Sequence, residues 1–299
     1  MQLGIYFPST ELALTPATLR EFTRAVDAMG YDYVVTADHV LGTPHDGRTP
    51  KLWGPYDQYD AFLDPFVLFS HMAALSDRLE FATSIMVLPQ RQTVLVAKQA
   101  ADLAVISDGR FRLAVGVGWN YVEFAALDED FTRRGARLDE QVPMLRRLWT
   151  EELVSGAVGD EVIDRAGLNP RPAQPVPVWL GGYMEPALRR GARIGDGFSF
   201  GGLTEEVEPM QRRVQELLDE YGRDRAAFGS ELVMVSPPAE GQGRWPRNRP
   251  GFLDGMADSV ARWGELGGTH LAVTTYWMEL GDLSAHLAYA EQAIARVRG

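Results

Sequence analysis

The strongest constraint on the fold is a strand, a helix and a second strand that follow one another from Leu79 to Trp119. The apolar run at 80–88 predicts a buried strand, and residues 111–115 predict the next one. Between them, apolar residues recur at spacings of three, four and seven, and this predicts a helix that Gly109 closes. Two strands joined by a helix in so short a stretch form a right-handed parallel crossover, so the sequence predicts a parallel sheet.

The same alternation of strand and helix continues along the whole chain. The predicted strands share a short apolar core bounded by glycine, proline or polar residues, and they are 3–7, 33–35, 80–88, 111–115, 177–182, 197–202, 231–236 and 270–277. Eight such repeats in 299 residues predict a single domain over 1–299, a closed (β/α)8 TIM barrel. Residues 151–176 break the rhythm and predict an insertion or small hairpin outside the barrel. In a barrel of this kind, functional residues lie in the loops after the strand carboxyl ends.

One candidate catalytic residue, His39, stands with Asp38 at the carboxyl end of the second predicted strand. A histidine can donate or accept a proton near neutral pH, which suits it to general acid–base catalysis. A loop histidine held by structural hydrogen bonds is the alternative. Residues 41–63 follow, rich in glycine, proline and aromatic residues, and a stretch this long without periodicity is usually a functional loop.

Aromatic residues near the predicted strand ends form the candidate substrate region. We expect them at or above the barrel mouth, where they suit an apolar organic molecule, and they are Trp53, Tyr56 and Trp277, with Phe7, Tyr59 and Trp119 as further members. Some of these residues are also expected to do no more than pack the loops.

Glycine pairs provide the candidate phosphate site. Gly181-Gly182 stands where the fifth predicted strand meets a helix, and bare backbone N–H groups at a helix N-terminus attract an anion. Gly201-Gly202, after the sixth strand, is a second candidate of the same kind. The run Gly116-Val117-Gly118 is weaker, because the complete dinucleotide fingerprint is absent. All three runs could instead be ordinary loop glycines.

Composition removes several classes of function. The formal net charge of -12 disfavours nucleic acid and anionic membrane surfaces as partners, since both require a basic face. The chain has no cysteine, so disulfides and thiolate metal sites are excluded. The first predicted strand lacks the His-x-His of metal-dependent barrel hydrolases, and no metal site is expected. The amino terminus leads directly into a strand, which predicts a cytoplasmic protein.

Several segments carry a resemblance to a known family. They occur in the family's order and spacing, and they are TADHV (36–40), TSIMVLP (83–89), AKQAADL (97–103), SDGRFRLAVGVGW (107–119) with Glu-Phe (123–124), VWLGGY (178–183) and ARIGDGF (192–198). Together they resemble the luciferase-like monooxygenases, and within that superfamily the class that depends on the deazaflavin coenzyme F420.

The resemblance implies a bulge at Ser84-Ile85, often with a non-prolyl cis peptide, that presses on the cofactor ring. It implies cofactor contacts from a set of residues spread over five strands, namely Asp38, Ser84, Ile85, Gly118, Trp119, Asn120, Gly181, Gly182, Tyr183 and Gly201. It further implies hydride transfer to or from a small organic substrate, with His39 as proton donor or acceptor, and a homodimer formed through helices on one side of the barrel.

Three alternatives stay open at this stage. A reduced-FMN-dependent monooxygenase is the closest, because the same barrel binds either cofactor. The deazaflavin carries an acidic tail that favours a basic groove, for which Arg189, Arg190 and Arg193 are candidates. A non-catalytic flavin-binding barrel is an alternative of another class, and a metal-dependent barrel hydrolase is disfavoured by its missing ligands.

Overall fold

A computed structural model describes residues 1–235, 253–276, 278 and 280–298. Its strands, in chain order, are β1 (Gln2–Tyr6), β2 (Tyr33–Thr36), β3 (Glu80–Thr83), β4 (Met86–Val87), β5 (Phe111–Gly116), β6 (Val154–Val158), β7 (Glu161–Ala166), β8 (Val178–Gly181), β9 (Gly197–Gly202), β10 (Gly229–Met234) and β11 (His270–Thr274). Its α-helices are α1 (Pro16–Met29), α2 (Pro65–Ala73), α3 (Thr93–Ile106), α4 (Tyr121–Ala126), α5 (Arg134–Thr150), α6 (Glu185–Ile194), α7 (Thr204–Glu220), α8 (Met256–Glu265) and α9 (Leu283–Arg298).

Eight of these strands form a closed parallel barrel. Their order is β3-β2-β1-β11-β10-β9-β8-β5, and the pairing of β3 with β5 closes the ring. Helices connect the strands, so the predicted (β/α)8 barrel is confirmed. The strand predicted at 80–88 is instead two strands, β3 and the two-residue β4, which both pair with β5. Ser84 and Ile85 lie in the gap between them, at the carboxyl end of β3.

The predicted insertion is a hairpin. Strands β6 and β7 pair antiparallel in a sheet of their own, separate from the barrel. The apolar side chains of Val154, Val158 and Ile163 are buried in the main core cluster, so the hairpin is packed against the body of the protein. This confirms the excursion predicted at 151–176.

Helix α4, which follows β5, was not predicted from the sequence. Asn120 begins this helix, and its side-chain oxygen accepts the backbone N–H of Val122 at 3.1 Å. A six-residue helix makes fewer than two turns, so its apolar residues do not recur at helical spacing. For this reason the sequence pattern does not predict it. The helix matters for function because it carries Glu123.

Apolar residues pack in two separate layers, inside the barrel and between the barrel and its helices. Alternation along β1 sends Tyr6 into the barrel and Phe7 outward, because successive side chains of a strand point to opposite faces. Phe7 packs edge-on against Phe22 of α1, with ring centroids 5.0 Å apart. The prediction that Phe7 lies at the barrel mouth is therefore wrong.

A buried ion pair lies inside the barrel. Nη2 of Arg112 lies 2.7 Å from Oε1 of Glu231, and the other carboxylate oxygen accepts the hydroxyl of Ser199 at 2.6 Å. The Arg112 guanidinium also stacks on the ring of Trp179, 4.1 Å from its centroid. A buried charge is tolerated when it is paired and hydrogen-bonded in this way. Since Ser199 also borders the barrel mouth, this pair helps to fix the base of the site.

Among the described residues, no helix combines the length and apolarity needed to cross a bilayer.

Candidate functional site

A cavity of about 170 Å³ opens at the carboxyl ends of the barrel strands, and we call it the mouth cavity. Predicted site residues in its wall are Tyr56, Ser84, Ile85, Gly181, Gly182, Tyr183 and Gly201. The sequence analysis did not select its other lining residues, which are Tyr6, Pro55, Ser199, Phe200, Val233, Val235, Thr274 and Tyr276. The structure thus brings the ends of six barrel strands together around one small space.

Ile85 forms a ridge in the wall of the mouth cavity. The peptide bond between Ser84 and Ile85 is cis, as the family resemblance implies. Neighbouring strands make room for the Ile85 side chain by carrying glycine: a Cβ on Gly116 would collide with Cδ1 of Ile85, and one on Gly181 would lie 2.7 Å from its Cγ2. Real side chains do not tolerate such contacts, so both glycines are needed for Ile85 to hold this position.

Four tyrosines line the mouth cavity, and three of them, Tyr6, Tyr56 and Tyr276, pack together. Tyr6 and Tyr276 meet edge-on at 5.0 Å, and Tyr276 meets Tyr56 at 5.9 Å. Burial raises the pKa of each of these three phenols well above its usual value, so all three stay protonated at neutral pH. A neutral phenol can donate or accept a hydrogen bond, so the three add to the polar groups that serine and threonine provide in the cavity wall. Strand alternation could have identified Tyr6, and Tyr276 stands beside the selected Trp277.

His39 has a buried acidic partner. Its Nδ1 lies 3.2 Å from Oε2 of Glu123, a residue of α4 that is 1% exposed. The other carboxylate oxygen, Oε1, accepts the backbone N–H groups of Val40 and Leu41, at 2.8 and 3.0 Å. The Glu123 carboxylate therefore positions both the imidazole ring and the start of the loop that follows it. The sequence analysis quoted Glu123 within the family motif but gave it no role.

Aromatic rings enclose His39. Its ring centroid lies 4.9 Å from that of Tyr56, 4.9 Å from Phe62 and 5.6 Å from Trp119. His39 is not part of the wall of the mouth cavity, and Tyr56 is the residue that touches both. Instead, His39 borders a second cavity, described below. The structure therefore places His39 one side chain away from the Ile85 ridge.

The four other predicted cofactor residues lie off the mouth cavity, and they are Asp38, Gly118, Trp119 and Asn120. Asp38 is buried and forms an ion pair with Arg91 at 2.6 Å, while its other oxygen accepts the backbone N–H of Val87. The Asn120 amide donates to the hydroxyl of Thr43 at 3.2 Å and caps α4. Gly118, with φ of 69°, adopts a left-handed conformation that favours glycine.

Of the predicted substrate residues that the structure describes, only Tyr56 borders the mouth cavity. Trp53 is 78% exposed, and Tyr59, the further aromatic of the same loop, is 83% exposed. Trp277 lies outside the described residues. The segment from residue 37 to residue 64, which carries these tyrosines and Trp53, contains neither helix nor strand. This agrees with the loop predicted at 41–63.

The start of α6 lies beside the Gly181-Gly182 turn. The helix begins without a side-chain cap. In its first turn Pro186 has no N–H, and the N–H of Ala187 donates to the carbonyl of Met184 at 2.8 Å, so the N–H groups of residues 183–185 are the ones that could meet an anion beside the glycine pair. At the second candidate, after Gly201-Gly202, the side chain of Glu206 accepts the backbone N–H of Leu203 at 2.9 Å and occupies the start of α7. The first glycine pair therefore offers the better anion site.

Carboxylates neutralise the three arginines of α6. Arg189 pairs with Glu185 at 2.8 Å, and both Arg190 and Arg193 pair with Asp139 of α5, at 3.0 and 2.6 Å. The basic groove suggested by these arginines is therefore not formed, because their charges are directed to neighbouring acids on the outer helices.

Comparison with known sequences identifies a family. A family model described as luciferase-like monooxygenase matches residues 1–237. An uncharacterized protein of Mycobacterium tuberculosis is 30% identical over 205 residues, which cover 67% of this chain and 71% of that protein. Pyrimidine monooxygenase RutA of Rhizobium rhizogenes is 28% identical over 271 residues, covering 86% of this chain and 68% of RutA.

Solved structures share the fold at low sequence identity. An F420-dependent secondary alcohol dehydrogenase, in complex with an F420-acetone adduct, superposes with a TM-score of 0.75 at 17% identity, covering 100% of this chain and 99% of that one. The long-chain alkane monooxygenase LadA gives a TM-score of 0.75 at 13% identity, covering 100% and 91%. At these identities the likeness extends to the fold alone.

Proposed function

We propose, from the premise that the chain belongs to the luciferase-like monooxygenase family, that it is an oxidoreductase dependent on coenzyme F420. It would transfer hydride to or from a small organic substrate at the mouth of the barrel. The observation that carries this proposal is the Ile85 ridge, held between Gly116 and Gly181 and surrounded by neutral phenols. A rigid apolar ridge with hydrogen-bonding phenols around it suits a flat cofactor ring, because the ridge can support one face of the ring while the phenols contact its edge.

The residues present fit a deazaflavin. Ile85 would support the ring, and the phenols of Tyr6 and Tyr276 would hydrogen-bond its polar edge. The backbone N–H groups between Gly182 and Glu185, just before and at the start of α6, would hold its phosphate. When bound, the deazaflavin supplies a carbon that accepts or donates hydride. The protein contributes orientation, a largely apolar enclosure and a proton.

The mouth cavity must widen to admit such a group. Its volume of about 170 Å³ lies below the range of roughly 300–1,000 Å³ typical of small-molecule sites. Tyr56 belongs to the loop after β2, and Tyr183 is a side chain that reaches Gly201 across the cavity. We propose that these two side chains move aside on binding, and that the movement of Tyr56 opens His39 to the site.

His39 would then handle the proton that accompanies hydride transfer. Because Glu123 accepts from Nδ1, the opposite nitrogen, Nε2, is the one left to exchange a proton with the substrate. A positioned acid or base of this kind typically contributes about 100- to 10,000-fold to the rate. Trp53, Tyr56 and Trp277 remain the proposed substrate contacts, for an apolar organic molecule.

A reduced-FMN-dependent monooxygenase is the second candidate, and one observation favours it. The acidic tail of F420 would gain from free arginines near Gly182, whereas Arg189, Arg190 and Arg193 are engaged by acids. FMN lacks that tail and does not need them. Anaerobic turnover separates the candidates: reduced F420 with a panel of ketones and aldehydes should lose its reduced absorbance, whereas an FMN enzyme would need both reduced FMN and oxygen.

We also propose that the protein is a homodimer formed through α2 and α3, and we call their shared outer surface the α2–α3 face. Five apolar side chains on these two contacting helices are between 42% and 67% exposed, and they are Val67, Val94, Leu95, Val105 and Ile106. Covering them with a second copy would remove apolar surface from water. Location in the cytoplasm stays a prediction.

A further inference from the structure

A second cavity, the side cavity, lies beside His39 and outside the barrel mouth. It has a volume of about 600 Å³, and its walls come from the loops after β2 and β4, from α3, from the segment after α4 and from β7. This volume falls within the range typical of small-molecule sites. His39 belongs to its wall, whereas Ile85 and the three phenols of the mouth cavity do not.

Gln90, in the wall of this cavity, has a buried side-chain amide without hydrogen-bond partners. The residue lines the cavity and is 2% exposed, yet neither its amide oxygen nor its amide nitrogen has a hydrogen-bond partner. The amide oxygen of Gln99, on the same wall, is also buried and unpartnered. Buried polar groups are almost always hydrogen-bonded, so an unpaired amide indicates where a ligand group belongs. Both amide atoms of Gln90 are covered, and a rotation of its side chain would bring them to the cavity surface.

The charge of the wall restricts the ligand. Four carboxylates border the side cavity, from Asp64, Asp128, Glu129 and Glu161, against the single cation of Arg91. Arg91 is already held by Asp38 and Asp64. Arg137, outside this wall, is shared by Glu129 and Glu161. The wall is therefore net negative, which disfavours an anion and favours a ligand with N–H donors.

Apolar side chains supply the rest of the wall, from Val40, Phe62, Leu95 and Leu127. Leu95 is 52% exposed and stands at the rim, where the cavity meets the surface. A ligand suited to this lining has a compact apolar body and one planar polar end.

We propose that the side cavity is a binding site for a small molecule bearing a carboxamide on an apolar body. A carboxamide matches Gln90 in both directions: its N–H donates to Oε1 of Gln90, and its oxygen accepts from Nε2. Its second N–H is free to reach a wall carboxylate. The occupant would contact His39 without entering the mouth cavity, so this site does not depend on the identity of the proposed cofactor.

The test is titration of the full-length protein with benzamide and with its anionic isostere benzoate, followed by calorimetry. Benzamide should bind, and benzoate should bind at least about tenfold more weakly, as expected for the loss of a well-placed hydrogen bond and the gain of charge repulsion. Equal affinity for the two would show a merely apolar cavity and overturn the proposal, as would no binding of benzamide at millimolar concentration.

Two variants locate the bound probe. Gln90→Met keeps the length of the side chain and removes the unpaired amide, so benzamide affinity should fall about tenfold while Tm rises. A fall in Tm would mean that Gln90 serves the fold, contrary to the proposal. Gln292→Met, on the exposed face of α9, is the matched control and should change neither quantity.

Leu95→Trp provides an independent check, because it obstructs the rim and leaves Gln90 intact. It should also abolish benzamide binding. Unchanged binding in this variant would place the probe elsewhere and refute the assignment, even if Gln90→Met cannot be purified in a folded form.

Discussion

The carboxylate of Glu123 lies 3.2 Å from Nδ1 of His39 and holds that ring nitrogen from a position almost fully excluded from solvent. Since an ionised carboxylate only accepts hydrogen bonds, Nδ1 is the nitrogen that carries the proton when the ring is neutral. Nε2 is then the nitrogen available for chemistry. His39 and Glu123 are 84 positions apart in the chain, and their contact joins the loop after β2 to helix α4.

Replacing His39 with asparagine tests the proposed role of this pair. The substitution keeps hydrogen bonding at similar size and removes the ring nitrogen that can transfer a proton, so turnover should fall by at least about 100-fold while cofactor affinity changes little. Glu123→Gln, which keeps the size of the side chain, should reduce turnover less. Wild-type turnover in a folded His39→Asn would make His39 a structural residue.

Much of this architecture follows from local sequence patterns. Periodicity alone predicts the eight barrel strands, because each strand and each long helix repeats its apolar residues often enough to be recognised. The hairpin at 154–166 was predicted as an interruption of that rhythm. The division into a single domain over 1–299 stays a prediction.

The site is harder to predict because its geometry depends on contacts distant in sequence. Nothing local to Gly116 indicates that the Ile85 side chain fills the space beside it. The ion pair between Asp38 and Arg91 likewise joins residues 53 positions apart, and the sequence gives no sign that this predicted cofactor contact also has a protein partner. The error at Phe7 has a simpler cause. Successive side chains of a strand point to opposite faces, so Phe7 faces away from the barrel interior because Tyr6 faces into it.

Gly182→Val tests the proposed phosphate site. At φ of 148° the backbone of Gly182 is in a region that L side chains rarely adopt, and a Cβ would lie 2.7 Å from that of Ala187. The added side chain should displace the start of α6 and lower cofactor affinity at least about tenfold. Gly222→Val is the control: its φ is also positive, at 65°, but no neighbour lies near its Cβ. Unchanged cofactor affinity in a folded Gly182→Val would refute the phosphate assignment.

His270, at the start of β11, should make stability depend on pH. Burial, with the nearby Arg112 charge, lowers its pKa from 6.5 to about 3. Between these values the unfolded chain binds a proton that the folded protein does not, so stability falls as the pH falls, by up to about 1.4 kcal/mol per pH unit. Urea unfolding at about pH 7 and about pH 5 should show a smaller loss for His270→Gln than for wild type. An equal loss in both proteins would contradict the assignment.

The α2–α3 face is tested by mass in solution. Light scattering on the wild-type protein should give twice the chain mass of 33.1 kDa. Ile106→Glu places a charge on a residue that is 56% exposed and should shift the protein toward the monomer. Tyr221→Glu, at the end of α7 and 40% exposed, should leave the mass unchanged. A monomeric wild type at micromolar concentration would end the dimer proposal.

The most direct measurement of the central claim is cofactor binding. The purified protein is titrated separately with F420 and with FMN, and the fluorescence of each cofactor is followed to saturation. Our account predicts saturable binding of F420 with a Kd at least about tenfold below that of FMN. Tighter binding of FMN would assign the protein to the monooxygenase alternative, and binding of neither cofactor would contradict a flavin-type site at the mouth of this barrel.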